Sequence, residues 1–501
     1  MRNDMGARAR DIALTITSWP SVTGTADEAA FAGKLKAFLS SFNFDRVWTE
    51  AIPGDSAGRS NVFALKRGKQ TRTIVLTGHF DVVPVEDYGA LKPLAFEAEK
   101  LLPELIARLR HSGENPLALA DLESGDFLPG RGLLDMKAGL AAGLAAMESY
   151  RGDGTVLFIG VSDEEDRSAG ARAAVPQMTM VAAEHGLEID LVINLDAISD
   201  QGEGAAGRVV GMGSIGKQLL TAFVVGKEAH ACYPRDGVNA AYLAAELVTE
   251  FELAEELAET SGGEIAAPPT ALAAKDLKSG YNVTTPAQAW AYWNTLQHKR
   301  PARDVFDIGL MLARRAMARA AQKVKRDIPV MAYAELAAKV PKAVIDAKAA
   351  ELAALSHLDL PERAKLMTAY VWEKSGLSGP AVVMGFGSIP YPAVALTNNS
   401  LEETVMAAAG ANGLASVRYF PGISDMSFLG EAAGDLAAAA GNTPIWGSSF
   451  VMPEPAGYPC INIGPWGRDY HHWLERLQGP SAFETLPRVL LAVIEAVFKR
   501  G

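Results

Sequence analysis

The sequence predicts an α/β fold: a mixed, mostly parallel sheet with helices on both faces, and a smaller α+β domain inserted into it. Three observations lead there. Helical and apolar strand segments alternate strictly between Leu133 and Leu195. Units of that size imply a parallel or mixed sheet covered on both faces. Beyond the Gly-rich stretch Arg208–Gly216 the order becomes strand, helix, strands, helix, strand, as in a small sheet with two helices on one face. Short apolar strands then return late in the chain, which puts the smaller domain inside the larger one.

Residues 7–20 and 27–42 read as amphipathic helices; the second has Ala30, Phe31, Leu35, Phe38 and Leu39 at helical spacing. Asn61–Lys66 and Thr73–Leu76 read as strands with a turn at Arg67–Lys69. Residues 88–128 break the pattern with one helical segment, Leu101–Leu109, and a polar loop, Ser112–Asn115, and read as an insertion near the site. The helix Leu133–Tyr150, the buried strand Thr155–Val161, the helix Ala169–Gly186 and the buried strand Leu191–Leu195 follow. In the inserted domain, Gln218–Val225, Asn282–Leu296 and Ile328–Ala338 are expected as strands, Gly237–Glu259 and Val305–Lys325 as helices. Residues 342–376 read as a helical add-on. Ala381–Phe386, Ser416–Phe420 and Cys460–Ile463 are expected to rejoin the first sheet, and the helix Ser481–Lys499 closes the chain. The expected domains are 1–211 and 379–501 for the larger unit, 212–340 for the insertion and 341–378 for the helical extension.

Composition narrows the function. In 501 residues, 49% are hydrophobic and 21% charged, the balance of a soluble globular protein. The net charge of −12 argues against a general nucleic-acid or anionic-membrane binder. No apolar run approaches a membrane span, and no signal segment is visible. Two cysteines, Cys232 and Cys460, make no disulfide framework, so a reducing, cytoplasmic setting is expected.

The chemistry starts in Thr73–Pro84, where a β-branched run ends in His79 and Asp81 follows two residues on. Residues two apart share a face of an extended chain, and open α/β sheets place ligand sites at strand carboxyl ends. An imidazole ligand usually has its other nitrogen held by a carboxylate or carbonyl. Asp135, in Gly130-Arg131-Gly132-Leu133-Leu134-Asp135-Met136-Lys137, is read at a helix N-terminus, where the dipole favours an anion. Glu164 and Glu165 follow the strand Thr155–Val161, and Asp196 follows Leu191–Leu195. His471 comes late, in Tyr470-His471-His472-Trp473-Leu474-Glu475. Taken singly, these read as a hydrogen-bonded histidine, a cap, an acidic turn, a turn residue and a surface histidine. Jointly they offer two imidazoles, three carboxylates and a spare carboxylate, a donor set without thiolates that suits Zn²⁺ and, less well, Mn²⁺ or Co²⁺.

With these motifs the chain resembles the aminoacylase, carboxypeptidase G and succinyl-diaminopimelate desuccinylase family of di-zinc hydrolases. It is similar to the bacterial arginine-utilisation branch through Ser21–Thr25, the insertion after Asp87-Tyr88-Gly89, Gly422–Ser427 and Asn462–Gly467. The resemblance implies a zinc exopeptidase-like fold and two Zn²⁺ ions per chain. Asp135 would bridge them, His79 and Asp196 would complete one position, and Glu165 and His471 the other. Glu164 would be the general base and Asp81 would orient His79. The four-residue spacing to Glu475 favours His471 over His472. His230, in Gly226–Pro234, would donate to the oxyanion from the inserted domain, which would act as a hinged lid. Read from the residues alone, His230 is equally a strand-end histidine satisfied by local backbone; a nucleophilic pairing with Cys232 lacks an orienting group. Relatives carry an arginine shortly after the pair matching Asn282-Val283, whereas this chain has Trp290–Thr295, with Arg300 later. That departure weakens the case for ordinary C-terminal peptidase specificity.

The expected activity is metal-dependent hydrolysis of an amide bond in an N-acyl amino acid or small peptide, in arginine or amino-acid catabolism. The rival reading is a binding or regulatory protein that kept the fold without the chemistry. The expected partners are a small-molecule or short-peptide substrate and a second copy of the chain, joined through the inserted domain's sheet edge.

Overall fold

Uninterrupted apolar strands need cover on both faces, and the central strands of the main sheet have it: every residue of Thr155–Val161 is buried. The structure, a computed structural model, describes residues 2–355, 357–431 and 436–500. They fall into two units: Met1–Ser214 with Val394–Ala432 and Pro453–Gly501, and Ile215–Ala393 with Ala433–Met452.

The main sheet of the first unit runs Arg46–Ala51, Ser60–Lys66, Thr155–Val161, Arg72–His79, Glu188–Asn194, Cys460–Asn462, Val209–Gly211, Ala415–Val417. Thr155–Val161, Arg72–His79, Glu188–Asn194 and Cys460–Asn462 are mutually parallel, and antiparallel strands flank them. The sheet is therefore mixed with a parallel centre. His79 is the last residue of its strand; Asp196 and the Glu164–Glu165 turn lie just past the carboxyl ends of two parallel neighbours. The parallel register brings all three to one end.

Helices cover this sheet for local reasons. Ala26–Leu39 starts at Thr25, whose side chain accepts from the Glu28 N–H, a cap worth about 1 kcal/mol. Ala138–Ser149 is rich in Ala and Gly because it lies close to a strand: a Cβ on Gly139 would stand 2.0 Å from the Leu195 carbonyl oxygen. Leu486–Lys499 buries Leu486, Val489, Leu490, Val493, Ile494 and Val497 at helical spacing, each contributing roughly 1.5–3 kcal/mol.

The insertion forms a small layer of its own. The helices Ala98–Ser112 and Pro116–Ser124 pack Leu101, Leu105, Leu109 and Leu122 with Tyr88, Phe127, Trp466 and Leu474. Beside them lies a four-stranded sheet ordered Phe127–Pro129, Arg476–Gln478, Trp466–Arg468, Ile198–Ser199.

The second unit holds a five-stranded sheet ordered Thr270–Asp276, Gln288–Gln297, Gly216–Val225, Ala381–Phe386, Val330–Ala332. The helices Ala240–Phe251 and Ala302–Val324 share its core.

Four expectations are corrected. Ala381–Phe386 does not rejoin the first sheet; it pairs antiparallel with Gly216–Val225, and a short buried run carries no mark of which sheet it joins. The second unit consequently extends beyond 340, through the helices Lys342–Ala353 and Leu360–Lys374; position 356 between them lies outside the described residues. Ile328–Ala338 is a strand only over Val330–Ala332 and then the helix Tyr333–Ala337. The helix expected from Leu133 starts at Ala138, and Asp135, at φ −113° and ψ 96°, stands on a wide turn before it.

Candidate metal centre

His79 is 2% exposed, and its two ring nitrogens face different partners. Nδ1 lies 3.0 Å from the backbone oxygen of Asp81. A carbonyl can only accept, so Nδ1 carries a proton, and Nε2 is the nitrogen that would serve as a ligand once its own proton is lost. Nε2 faces Asp135 Oδ1 at 3.1 Å and Asp196 Oδ1 at 3.8 Å. The other oxygen of Asp135 lies 3.2 Å from His471 Nε2, which is also 3.1 Å from Glu165 Oε1. His79, Asp135, Glu165, Asp196 and His471 thus form one chain of contacts, with Asp135 at its middle. Ligand atoms of His79, Asp135 and Glu165 lie within 4.8 Å of one another.

Asp81 is fully buried, and its carboxylate does not hold the imidazole: Oδ1 is 3.7 Å from Nδ1. It accepts instead from the Glu164 N–H at 3.1 Å, the Glu165 N–H at 3.2 Å and the Thr23 hydroxyl at 2.8 Å. One residue thus orients His79 through its carbonyl and pins the two-glutamate turn through its carboxylate. Behind that turn, Arg59 pairs with Glu28, Asp55 and Asp163.

Glu475, four residues after His471, is buried and shapes the turn that bears Asp135. It accepts from the Gly132 N–H at 2.9 Å, the Leu134 N–H at 3.3 Å and Arg131 Nη1 at 2.8 Å. Gly132 sits at φ 74°, and a Cβ there would meet Val82 at 2.3 Å, so the Gly-Arg-Gly motif is a shape requirement. His472 is turned away, its Nδ1 accepting from the Leu474 N–H at 3.3 Å.

Burial and the neighbouring charges set the protonation of the cluster. Burial pushes the Glu164 carboxyl well above its usual range; His79 opposes this, while Asp425 and Glu165 reinforce it. Burial also raises Glu165 and Asp196. For His471, burial lowers basicity, but the hydrogen bonds to Asp135 and Glu165 outweigh it and push the imidazole up to about 11. His79 is likewise raised, against burial, by Asp135 and Asp196. Burial would also raise Asp135, yet the two imidazoles hold it below the usual carboxylate range. Buried carboxylates converging on two imidazoles fit divalent cations, which would replace the protons that now bind the cluster together. An oxygen and nitrogen donor set without sulfur suits Zn²⁺.

Sequence reasoning missed Asp425. It is 2% exposed, lies beside Ser168, and interacts electrostatically with Glu164, His79, Asp81 and Asp196; burial pushes it up to about 7. The segment Gly422–Ser427 stood out only as a branch marker, and the acid within it was the available signal. His230 belongs to the second unit, is exposed, and accepts through Nδ1 from the Cys232 N–H at 3.1 Å.

The chain is similar to known proteins over most of its length. A family model described as peptidase family M20/M25/M40 matches residues 75–441. The uncharacterized protein YqjN of Bacillus subtilis is 31% identical over 97% of this chain and 96% of its own length. Protein RocB of the same organism is 27% identical over 96% of this chain and 94% of its own. The crystal structure of Bacillus subtilis YXEP, a dinuclear metal binding peptidase from the M20 family, shares the fold with a TM-score of 0.54 at 12% identity, covering 99% of both chains. A family match that spans most of the sequence, and a relative aligned from end to end, establish that the chain belongs to peptidase family M20/M25/M40.

Proposed function

We propose that this protein is a two-metal amidohydrolase that cleaves an N-acyl amino acid or a short peptide. One observation carries the reading: the two oxygens of Asp135 are divided between His79 and His471, at 3.1 and 3.2 Å, as a carboxylate shared by two cations requires. Asp135 would bridge, with His79 and Asp196 holding one ion and Glu165 and His471 the other. When bound, such ions act as Lewis acids that lower the pKa of water and polarise a carbonyl.

The chain's own residues do the rest. Glu164 lies beside Glu165 on the turn pinned by Asp81. Its raised basicity suits a base that takes the proton of the attacking water and returns it to the leaving amine. His230 accepts at Nδ1, so its proton is on Nε2, the tautomer needed to donate to a developing oxyanion. Arg300, the nearest arginine to the expected carboxylate clamp, instead donates to the Glu256 carbonyl at 2.9 Å. This supports a substrate whose carboxylate is not gripped by that residue.

The test is a panel of N-acyl amino acids and dipeptides, incubated with zinc-loaded and with chelator-treated protein. Turnover that depends on the metal supports the reading. A zinc-loaded protein that binds panel members yet releases no amine supports the binding-protein alternative instead.

A further inference from the structure

We propose that residues 86–128, the insertion together with the turn Glu86–Leu94 that opens it, are a brace for the loop that carries His471, and that Asp121 is its keystone positioning residue. The proposal rests on the metal reading above, because what the brace sets is the Glu165–His471 position.

His471 lies between the strands Trp466–Arg468 and Arg476–Gln478. Its backbone has φ 62°, and its side chain is 44% exposed. Packing around the ring therefore does little to fix it, and the loop must be held at its ends. At the base of the loop, Arg468 and Arg476 are direct cross-strand partners. Two like charges placed opposite each other repel. Both are nearly fully buried, where the repulsion is least screened. Asp121 resolves this. Its carboxylate accepts from Arg468 Nη1 at 2.5 and 2.6 Å and from Arg476 Nε at 2.7 Å. Arg476 then reaches into the loop, donating to Asp469 Oδ2 at 2.5 Å and to the Leu474 carbonyl at 3.1 Å.

Two further contacts come from the same segment. Arg108 lies over the ring of Trp473 at 4.0 Å. Asp87 pairs at 3.0 Å with Arg131, which also holds Glu475. The loop is thus gripped at its base, its flank and its exit, each time by a residue of 86–128. A segment that serves only to enlarge the fold has no reason to place a carboxylate between two opposed arginines.

The experiment uses the full chain. Asp121→Asn keeps the shape and removes the charge; Arg108→Ala removes the flank contact from an exposed position. Zinc content after dialysis, zinc affinity by chelator competition, and the absorption spectrum of the cobalt-loaded protein are measured for parent and variants. The parent is expected to bind two ions. Asp121→Asn should weaken one of them by roughly 10–100-fold, the range seen when groups that orient a ligand are lost, leave the other unchanged, and shift the cobalt bands. Arg108→Ala should weaken the same ion by less, and decides alone if Asp121→Asn does not fold. Variants that titrate like the parent, or that lose both ions equally, overturn the brace while leaving the metal reading intact. A parent that binds fewer than two ions overturns the metal reading, and this proposal with it.

Discussion

Asp81 was expected to orient His79, by a carboxylate or a carbonyl contact. Its carbonyl lies against Nδ1, and its carboxylate accepts from the backbone of Glu164 and Glu165. Removing it should therefore disturb the glutamates more than the imidazole: Asp81→Ala is expected to lower both turnover and the affinity of the ion held by Glu165, read by kinetics and chelator competition. Glu164→Gln keeps the shape of the base and an acceptor oxygen but cannot take a proton. Metal content should survive while kcat falls by a factor on the order of 10²–10⁴; undiminished turnover removes Glu164 from the mechanism. The raised imidazoles give a pH prediction. Without metal, His471 stays protonated up to about 11 through Asp135 and Glu165, and a ligand imidazole must be neutral. Zinc binding near pH 7.5 should therefore release protons, seen as a dependence of calorimetric heat on buffer ionisation enthalpy. By linkage, a folded pKa raised above the unfolded one contributes stability that is complete below the ordinary histidine range and lost as pH rises toward about 11. The metal-free protein should accordingly lose thermal stability with rising pH, and zinc should flatten that slope.

At the scale of elements, the positions that matter are those where backbone approaches backbone. Gly139 faces the Leu195 carbonyl at a distance no side chain can share. Gly139→Ala should destabilise the protein by about 1–3 kcal/mol through overpacking, measured as a lower urea midpoint with an unchanged slope. A midpoint equal to the parent's would mean that the helix Ala138–Ser149 shifts without cost. Most elements were legible in the sequence because their apolar periodicity is local: Ala169–His185, Thr155–Val161 and Ala302–Val324 all lie where the pattern put them. The turn Leu133–Lys137 was not legible. Its sequence continues a helical pattern, and hydrogen bonds from the N–H groups of Gly132, Leu134 and Asp135 to the distant Glu475 help to hold it open.

At the scale of the whole molecule, the second unit ends its sheet on Thr270–Asp276, which pairs on one side only among the described strands and exposes Leu272 at a bulge. Such an edge invites pairing with a second copy. Sedimentation is expected to give a dimer, and Leu272→Lys on that edge to shift it toward the 53.1 kDa monomer. His230→Ala is expected to lower kcat about 10²-fold, the scale for one oxyanion donor, with metal content unchanged; parent-like turnover leaves His230 a histidine satisfied by its own loop. Among the described residues no helix is long and apolar enough to cross a membrane. The sequence by itself determined the α/β class, the family and the candidate ligands, because these live in local patterns: a strand that stops at His79, a Gly-Arg-Gly turn, adjacent glutamates, a late histidine with its glutamate. Only the tertiary structure decided that Ala381–Phe386 pairs in the second sheet, that Asp425 is buried within electrostatic reach of Glu164 and His79, that Asp81 makes contacts with both its carbonyl and its carboxylate, and that Asp121 ties Arg468 to Arg476. Each of these depends on which distant residue stands opposite. A strand's partner and a carboxylate's cation are set by long-range register, and no local pattern records it.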